Sequence, residues 1–140
     1  MTLPQSPPPN VDLVKNSDLI TLRLEGDYTL DVAMYVHHHI EETGDQFGYR
    51  LTMIDVRHGG AIAPDARRYL LERRKTTKTP SIVAIVGASF GVRTIAQMVI
   101  RALGLLTTSH IAVDFFADEV AALAWIDTQR NRLRSTPGTK

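Results

Sequence analysis

Cysteine is missing from all 140 residues, and with it go disulfides, thiolate catalysis and cysteine-ligated zinc. The chain is nearly as short of net charge. Sixteen basic and 15 acidic side chains leave +1, so no global field draws it to nucleic acid or an anionic membrane. Long apolar runs are lacking too. None reaches the roughly 18 residues that a membrane span needs, and Met1-Thr2-Leu3-Pro4 leads into proline-rich polar sequence rather than the apolar core of a signal peptide. What remains is an ordinary globular composition, 44% hydrophobic and 22% charged, in a chain long enough to bury a real core as one domain with tails. A cytoplasmic location is expected.

The stretch that organises the rest is Ser81-Ile82-Val83-Ala84-Ile85-Val86-Gly87-Ala88-Ser89-Phe90-Gly91, followed by Val92-Arg93-Thr94-Ile95-Ala96-Gln97-Met98-Val99-Ile100. An unbroken apolar run ending in a glycine turn suits a strand buried on both faces, the pattern of a central parallel strand. A helical pattern starts directly after it.

Residues 1–10, with Pro4, Pro7, Pro8 and Pro9, are expected to be a disordered or polyproline-like lead. Val11–Val14 and the alternating Leu19–Glu25 read as two strands joined by the turn residues of Lys15–Asp18. Thr29 caps a helix from Leu30 to Thr43, with Asp31 in its first turn and Gly44 as its stop. Arg50–Val56 is the third strand, closed by Gly59-Gly60, and Pro64 opens a helix over Asp65–Lys75. After the central strand come a helix over Val92–Leu103, a fifth strand over Ile111–Phe115 and a last helix from Asp118 to Arg130. Residues 131–140 are polar and are expected to fray. The order β-β-α-β-α-β-α-β-α demands crossover connections. It predicts a single-domain α/β fold over residues 11–130, a mixed, mostly parallel five-stranded sheet with an antiparallel first strand, covered by four helices.

That order, together with Leu22-Arg23-Leu24-Glu25-Gly26, the Asp-ended strand Leu51-Thr52-Met53-Ile54-Asp55-Val56, the central strand, and the closing Phe115-Phe116-Ala117-Asp118-Glu119-Val120-Ala121-Ala122-Leu123-Ala124-Trp125-Ile126, resembles the SpoIIAA-like group of STAS-type domains over about Val11 to Gln129. The resemblance implies a scaffold that works by binding. Its better-known relatives are anti-sigma-factor antagonists, switched by phosphorylation of a Ser or Thr at the start of the helix after the Asp-ended strand. Here that place reads Arg57-His58-Gly59-Gly60-Ala61-Ile62-Ala63-Pro64-Asp65-Ala66-Arg67 and holds no hydroxyl side chain. The nearly two negative charges of a phosphate have nowhere to attach, so this version of the switch is absent.

Four patterns carry possible chemistry. Gly87-Ala88-Ser89-Phe90-Gly91 matches the G-x-S-x-G nucleophile elbow. The only downstream histidine is His110, with Asp114 and Asp118 after it, the wrong order for that hydrolase fold. The same glycines would leave backbone N–H groups at a helix N-terminus. With Arg57 and His58 past the third strand, and Ser89, Phe90 and Arg93 past the fourth, the carboxyl rim of the sheet is a candidate site for an anionic ligand or partner. His37-His38-His39 cannot converge on one ion, because successive helical residues point about 100° apart. Arg67, Arg68, Arg73, Arg74, Lys75 and Lys78 make a basic helix, diluted by Asp65 and Glu72 and without the aromatics of an RNA-binding surface.

The helix after Ser89 is more apolar than one sheet face can bury. On a helical wheel Ile95, Met98, Val99, Ala102 and Leu103 face the core, leaving Val92, Ala96 and Ile100 as a candidate interface, with a second copy of the chain as one occupant. Trp125 reads as a core anchor. The expectation is therefore a non-catalytic STAS-like module with no cofactor or metal, acting on a protein partner, a second copy of itself among the candidates, with nucleic acid excluded and peripheral membrane contact left open. The alternative is a module for a small anionic or lipid-like ligand at the carboxyl edge of the sheet. An apolar cavity beneath the third helix would favour that alternative, and a filled core would favour the protein partner.

Overall fold

A computed structural model describes residues 7–76, 78–106 and 111–135. Strands β1 (Val11–Asn16), β2 (Leu19–Tyr28), β3 (Arg50–Ile62), β4 (Ser81–Val86) and β5 (Ile111–Phe116) form one sheet in the order β1-β2-β3-β4-β5. β1 runs antiparallel to β2 and every later pairing is parallel, so the sheet is mixed, as the sequence predicts. β4 lies inside the sheet, between β3 and β5.

Helices α1 (Leu30–Phe47), α2 (Pro64–Thr76) and α3 (Phe90–Leu106) each carry one parallel crossover between neighbouring strands. Successive crossovers of one hand in one direction stack their helices on one face. Accordingly α1 packs on β2 and β3, α3 on β3 and β5, and α2 between α1 and α3, while α4 (Glu119–Arg134) packs on β3, β4 and β5. The core is split to match. Leu51, Met53, Ile82, Ala84 and Val86 bury against Ala122 and Ile126 of α4, with the tilted rings of Phe116 and Trp125 5.4 Å apart beside them. Ile20, Leu22 and Leu24 bury against Val32 and Val36 of α1. Trp125 is thus a core anchor.

Several boundaries differ from the sequence reading, each for a local reason. α1 does not stop at Gly44. It ends at Gly48, whose φ of 84° is the left-handed conformation glycine adopts most cheaply and whose N–H bonds the Gly44 carbonyl at 2.8 Å. Gly44 instead makes room for a neighbour, since a Cβ there would lie 2.8 Å from Cγ of Arg50. β3 is not closed by Gly59-Gly60 but runs on to Ile62 beside an irregular stretch of β2, and a Cβ on Gly60 would strike the Asp27 carboxylate, which accepts the Ala61 N–H at 3.0 Å. The lead is ordered from its last residues, where Asn10 donates to the Asp27 carbonyl and accepts from Glu25 N–H. α4 does not fray at 131 but continues to Arg134. The outer parts of both expected tails, 1–6 and 136–140, lie outside the described residues. Caps at Thr29 and Asp118 form, each side chain accepting a backbone N–H three residues on.

β4 is not equally buried on its two faces. Ile82, Ala84 and Val86 are buried beneath α4, whereas Val83 and Ile85 on the other face are only half-buried. The cause lies in α2. Its run Arg67-Arg68-Tyr69-Leu70-Leu71-Glu72-Arg73 offers little apolar surface, and its main contacts are with α1 and α3 rather than with any strand. Among the described residues the middle of that sheet face is therefore left under-filled.

Candidate ligand-binding site

The under-filled face is a cavity of about 210 Å³, partly open to solvent, between β3–β5 and α1–α3. Strand alternation supplies its floor. Arg50, Thr52, Ile54 and Val56 of β3 point to it while Leu51 and Met53 point to α4. In register beside them stand Ser81, Val83 and Ile85 of β4, then Ile111 and Val113 of β5. Val36 and Ile40 of α1, Leu70 of α2, and Val92 and Ala96 of α3 complete an almost wholly apolar wall.

The polar lining gathers where the strands begin. Arg50 is 6% exposed and Thr52 1% exposed, and among the described residues neither Nε of Arg50 nor Oγ1 of Thr52 has a hydrogen-bond partner. Burial pushes the Arg50 guanidinium down from its ordinary range. The charges of Glu41 and Asp45 oppose that and Arg73 adds to it. Glu41 is itself engaged, accepting from Arg73 Nε at 3.0 Å and from its NH2 group, with His37 Nε2 3.8 Å away. Burial would raise the Glu41 carboxyl, but the Arg73 hydrogen bond and the His37, Arg73 and Arg50 charges outweigh it and hold it low.

The carboxyl rim is built differently. Arg57 donates from Nε and NH2 to Asp55, at 2.6 Å for the shorter arm, and its backbone N–H also bonds Asp55 Oδ1. Glu119 lies 3.5 Å from the same guanidinium. Those hydrogen bonds from Arg57, ahead of the opposing cost of burial, hold the Asp55 carboxyl low. Ser89 Oγ accepts the Val92 N–H at 3.2 Å, capping α3. The Arg93 guanidinium sits 5.3 Å over the Phe115 ring. His58 and Phe90 are exposed, Phe90 at 87%. The rim residues thus share one end of the sheet, with Arg57 paired to Asp55 and Arg93 stacked on Phe115.

The helical wheel of α3 turns out the other way round. Val92 and Ala96 line the cavity, with Ala96 buried, while Ile95 and Met98 face solvent at 39% and 63%. The wheel placed the larger residues inward, whereas among the described residues of α3 it is Val92 and Ala96 that sit over the cavity. The side chain of Ile100, with those of Val99, Ala102 and Leu103, lies outside the described residues, as does His110. Of the three histidines, His37 lines the cavity, His38 is exposed and His39 sets its ring 4.9 Å from Tyr35. Among the described residues no three His, Asp or Glu side chains gather as a metal cluster, and no helix is long and apolar enough to cross a membrane.

Two groups escaped the sequence reading. Arg50 and Thr52 were legible as polar residues two apart on a strand clad on both sides. Asp18 was read as a turn residue, yet it is 2% exposed and holds four partner atoms. Tyr49 donates its hydroxyl at 2.6 Å, Arg130 donates twice at 2.8 Å and Arg134 once at 3.2 Å. No local pattern announces partners 112 residues away.

No family model matches the sequence and no curated protein matches it. Among solved structures, the chain is similar to an uncharacterized protein of the DUF3478 family from Shewanella loihica PV-4, described as having a SpoIIAA-like fold, with a TM-score of 0.58 and 16% identity over 83% of this chain and 91% of the other. The mixed five-stranded sheet, its three crossover helices on one face and α4 alone on the other make this a SpoIIAA-like fold.

Proposed function

We propose that the chain is a non-catalytic binding module that receives a small, mostly apolar ligand between the sheet and helices α1–α3. The observation behind this reading is the cavity. Protein interiors are close-packed, and an engineered apolar cavity of about 150 Å³ already takes up benzene. A space of about 210 Å³ suits a ligand on the order of ten non-hydrogen atoms on that scale. The half-buried faces of Val83, Ile85 and Val113 would gain roughly 25 cal/mol for each Å² of apolar surface a ligand covers. A binding rather than a chemical role fits the rim, where the Ser89 hydroxyl serves as a helix cap.

Calorimetric titration with 1-octanol tests the reading. The wild-type chain is expected to bind it saturably, and Ala96→Phe, which projects a ring into the cavity from α3, is expected to abolish binding while keeping or raising the unfolding midpoint. A wild-type chain without saturable uptake, or undiminished uptake by the folded variant, refutes it.

A second reading, a protein partner or a second copy of the chain, draws on the outer face of α3. Phe90 and Met98 there are 87% and 63% exposed, apolar surface that a partner would cover.

A further inference from the structure

We infer that the ligand is a singly charged carboxylate on an apolar body, its head held by Arg50 and Thr52 where the strands begin. This rests on the cavity reading and adds the head-group chemistry. Arg50 and Thr52 both line the cavity, and each carries a buried polar atom, Nε and Oγ1, that has no hydrogen-bond partner among the described residues and is costly to leave so. The two residues stand two apart on one face of β3, about 7 Å along the strand, so that one carboxylate between them would turn an oxygen toward each. Ser81, paired in register with Arg50, adds a third hydrogen-bonding group at the same edge.

The surrounding charges select the head. Glu41, whose charge acts most on Arg50, is itself bonded by Arg73, and no acceptor among the described residues takes the Arg50 Nε hydrogen, so a ligand carboxylate can supply that charge-assisted bond. A neutral head would leave Nε of Arg50 without a charged acceptor. A phosphate dianion would bring a second negative charge into the field of Glu41 and Asp45. One negative charge fits. The apolar remainder lies along Ile54, Ile85, Val113 and Val92, toward the carboxyl end of the sheet.

The probes are octanoate, 1-octanol and octyl phosphate, titrated at neutral pH into wild type, Arg50→Met and Thr52→Val. Wild type is expected to bind octanoate most tightly of the three. Arg50→Met is expected to lose about tenfold to a hundredfold of octanoate affinity and to keep its octanol affinity, the scale of one charge-assisted hydrogen bond. Thr52→Val, of nearly the same shape, is expected to lose about threefold to tenfold with an unfolding midpoint equal to or above wild type, which keeps the test decisive if Arg50→Met does not fold. Octanol binding as well as octanoate, an octanoate preference that survives both substitutions, or octyl phosphate binding tightest overturns the head-group assignment and leaves the cavity reading standing. Uptake of none of the three overturns both.

Discussion

Asp18→Asn is the sharpest test of what fastens this fold. The Asp18 side chain is 3% exposed and sits between Arg130, 18% exposed, and the more open Arg134, at 56%. The Tyr49 hydroxyl donates to it and accepts from Arg134 Nε at 3.0 Å. This cluster ties the β1–β2 turn and the start of β3 to the last turns of α4. Removing one partner of a buried ion pair costs about 3–5 kcal/mol, because the other charge stays behind. Asparagine keeps the shape and one acceptor, and Arg134 can turn to water, so a loss of about 2–4 kcal/mol is expected. For a chain of this size that lowers the melting temperature by about 6–15 °C. The sign of the pH dependence follows from the carboxyl. Burial alone would raise it, but hydrogen bonds from Arg130 and Tyr49 and the Arg130 and Arg134 charges outweigh burial and hold it below its ordinary range. Its contribution is therefore present above the unfolded value of about 3.9 and is lost as pH falls through the depressed folded value. Urea unfolding followed by the single tryptophan, Trp125 on α4, reads both effects. An asparagine variant with the wild-type midpoint at pH 7, or a gap between the two that stays constant well below pH 4, refutes the reasoning.

Two further outcomes are expected. Gly87→Ala puts a side chain at a φ of 75° and drives its Cβ into the Arg57 side chain, so a cost of about 1–3 kcal/mol is expected in denaturant melts; an unchanged midpoint refutes it. Met98→Asp on the outer face of α3 distinguishes the second functional reading: sedimentation velocity that shows wild type self-associating and the variant monomeric supports it, while identical monomers rule out self-association through this helix.

Much of the architecture could be read from the sequence because it rests on local signals. The bare apolar run Ile82–Val86, the cap at Thr29, and the alternation of Leu19–Glu25 each depend on neighbours a few residues away. The boundaries that moved depend on distant ones. Gly44 serves Arg50 across a turn, and Gly60 serves Asp27 on another strand, so neither ends its element. The candidate cavity was less legible. A run of apolar residues on β4 says that both faces avoid water, not that one of them is filled by helix and the other left open. Which way α3 faces was misread for the same reason, since a wheel that puts bulk inward assumes the interior is full. Arg50 and Thr52 left a trace as polar steps on an apolar strand, while the Asp18 cluster joins residues too far apart in sequence for any window to catch.

The lone helix α4 and the suspended helix α2 divide the labour of the molecule. One face of the sheet, sealed by α4 and clasped at Asp18, governs when the chain melts. The opposite face, roofed by a charged helix that leans on its neighbours, governs what fits inside. Substitutions in the roof are therefore expected to resize the chamber without loosening the clasp.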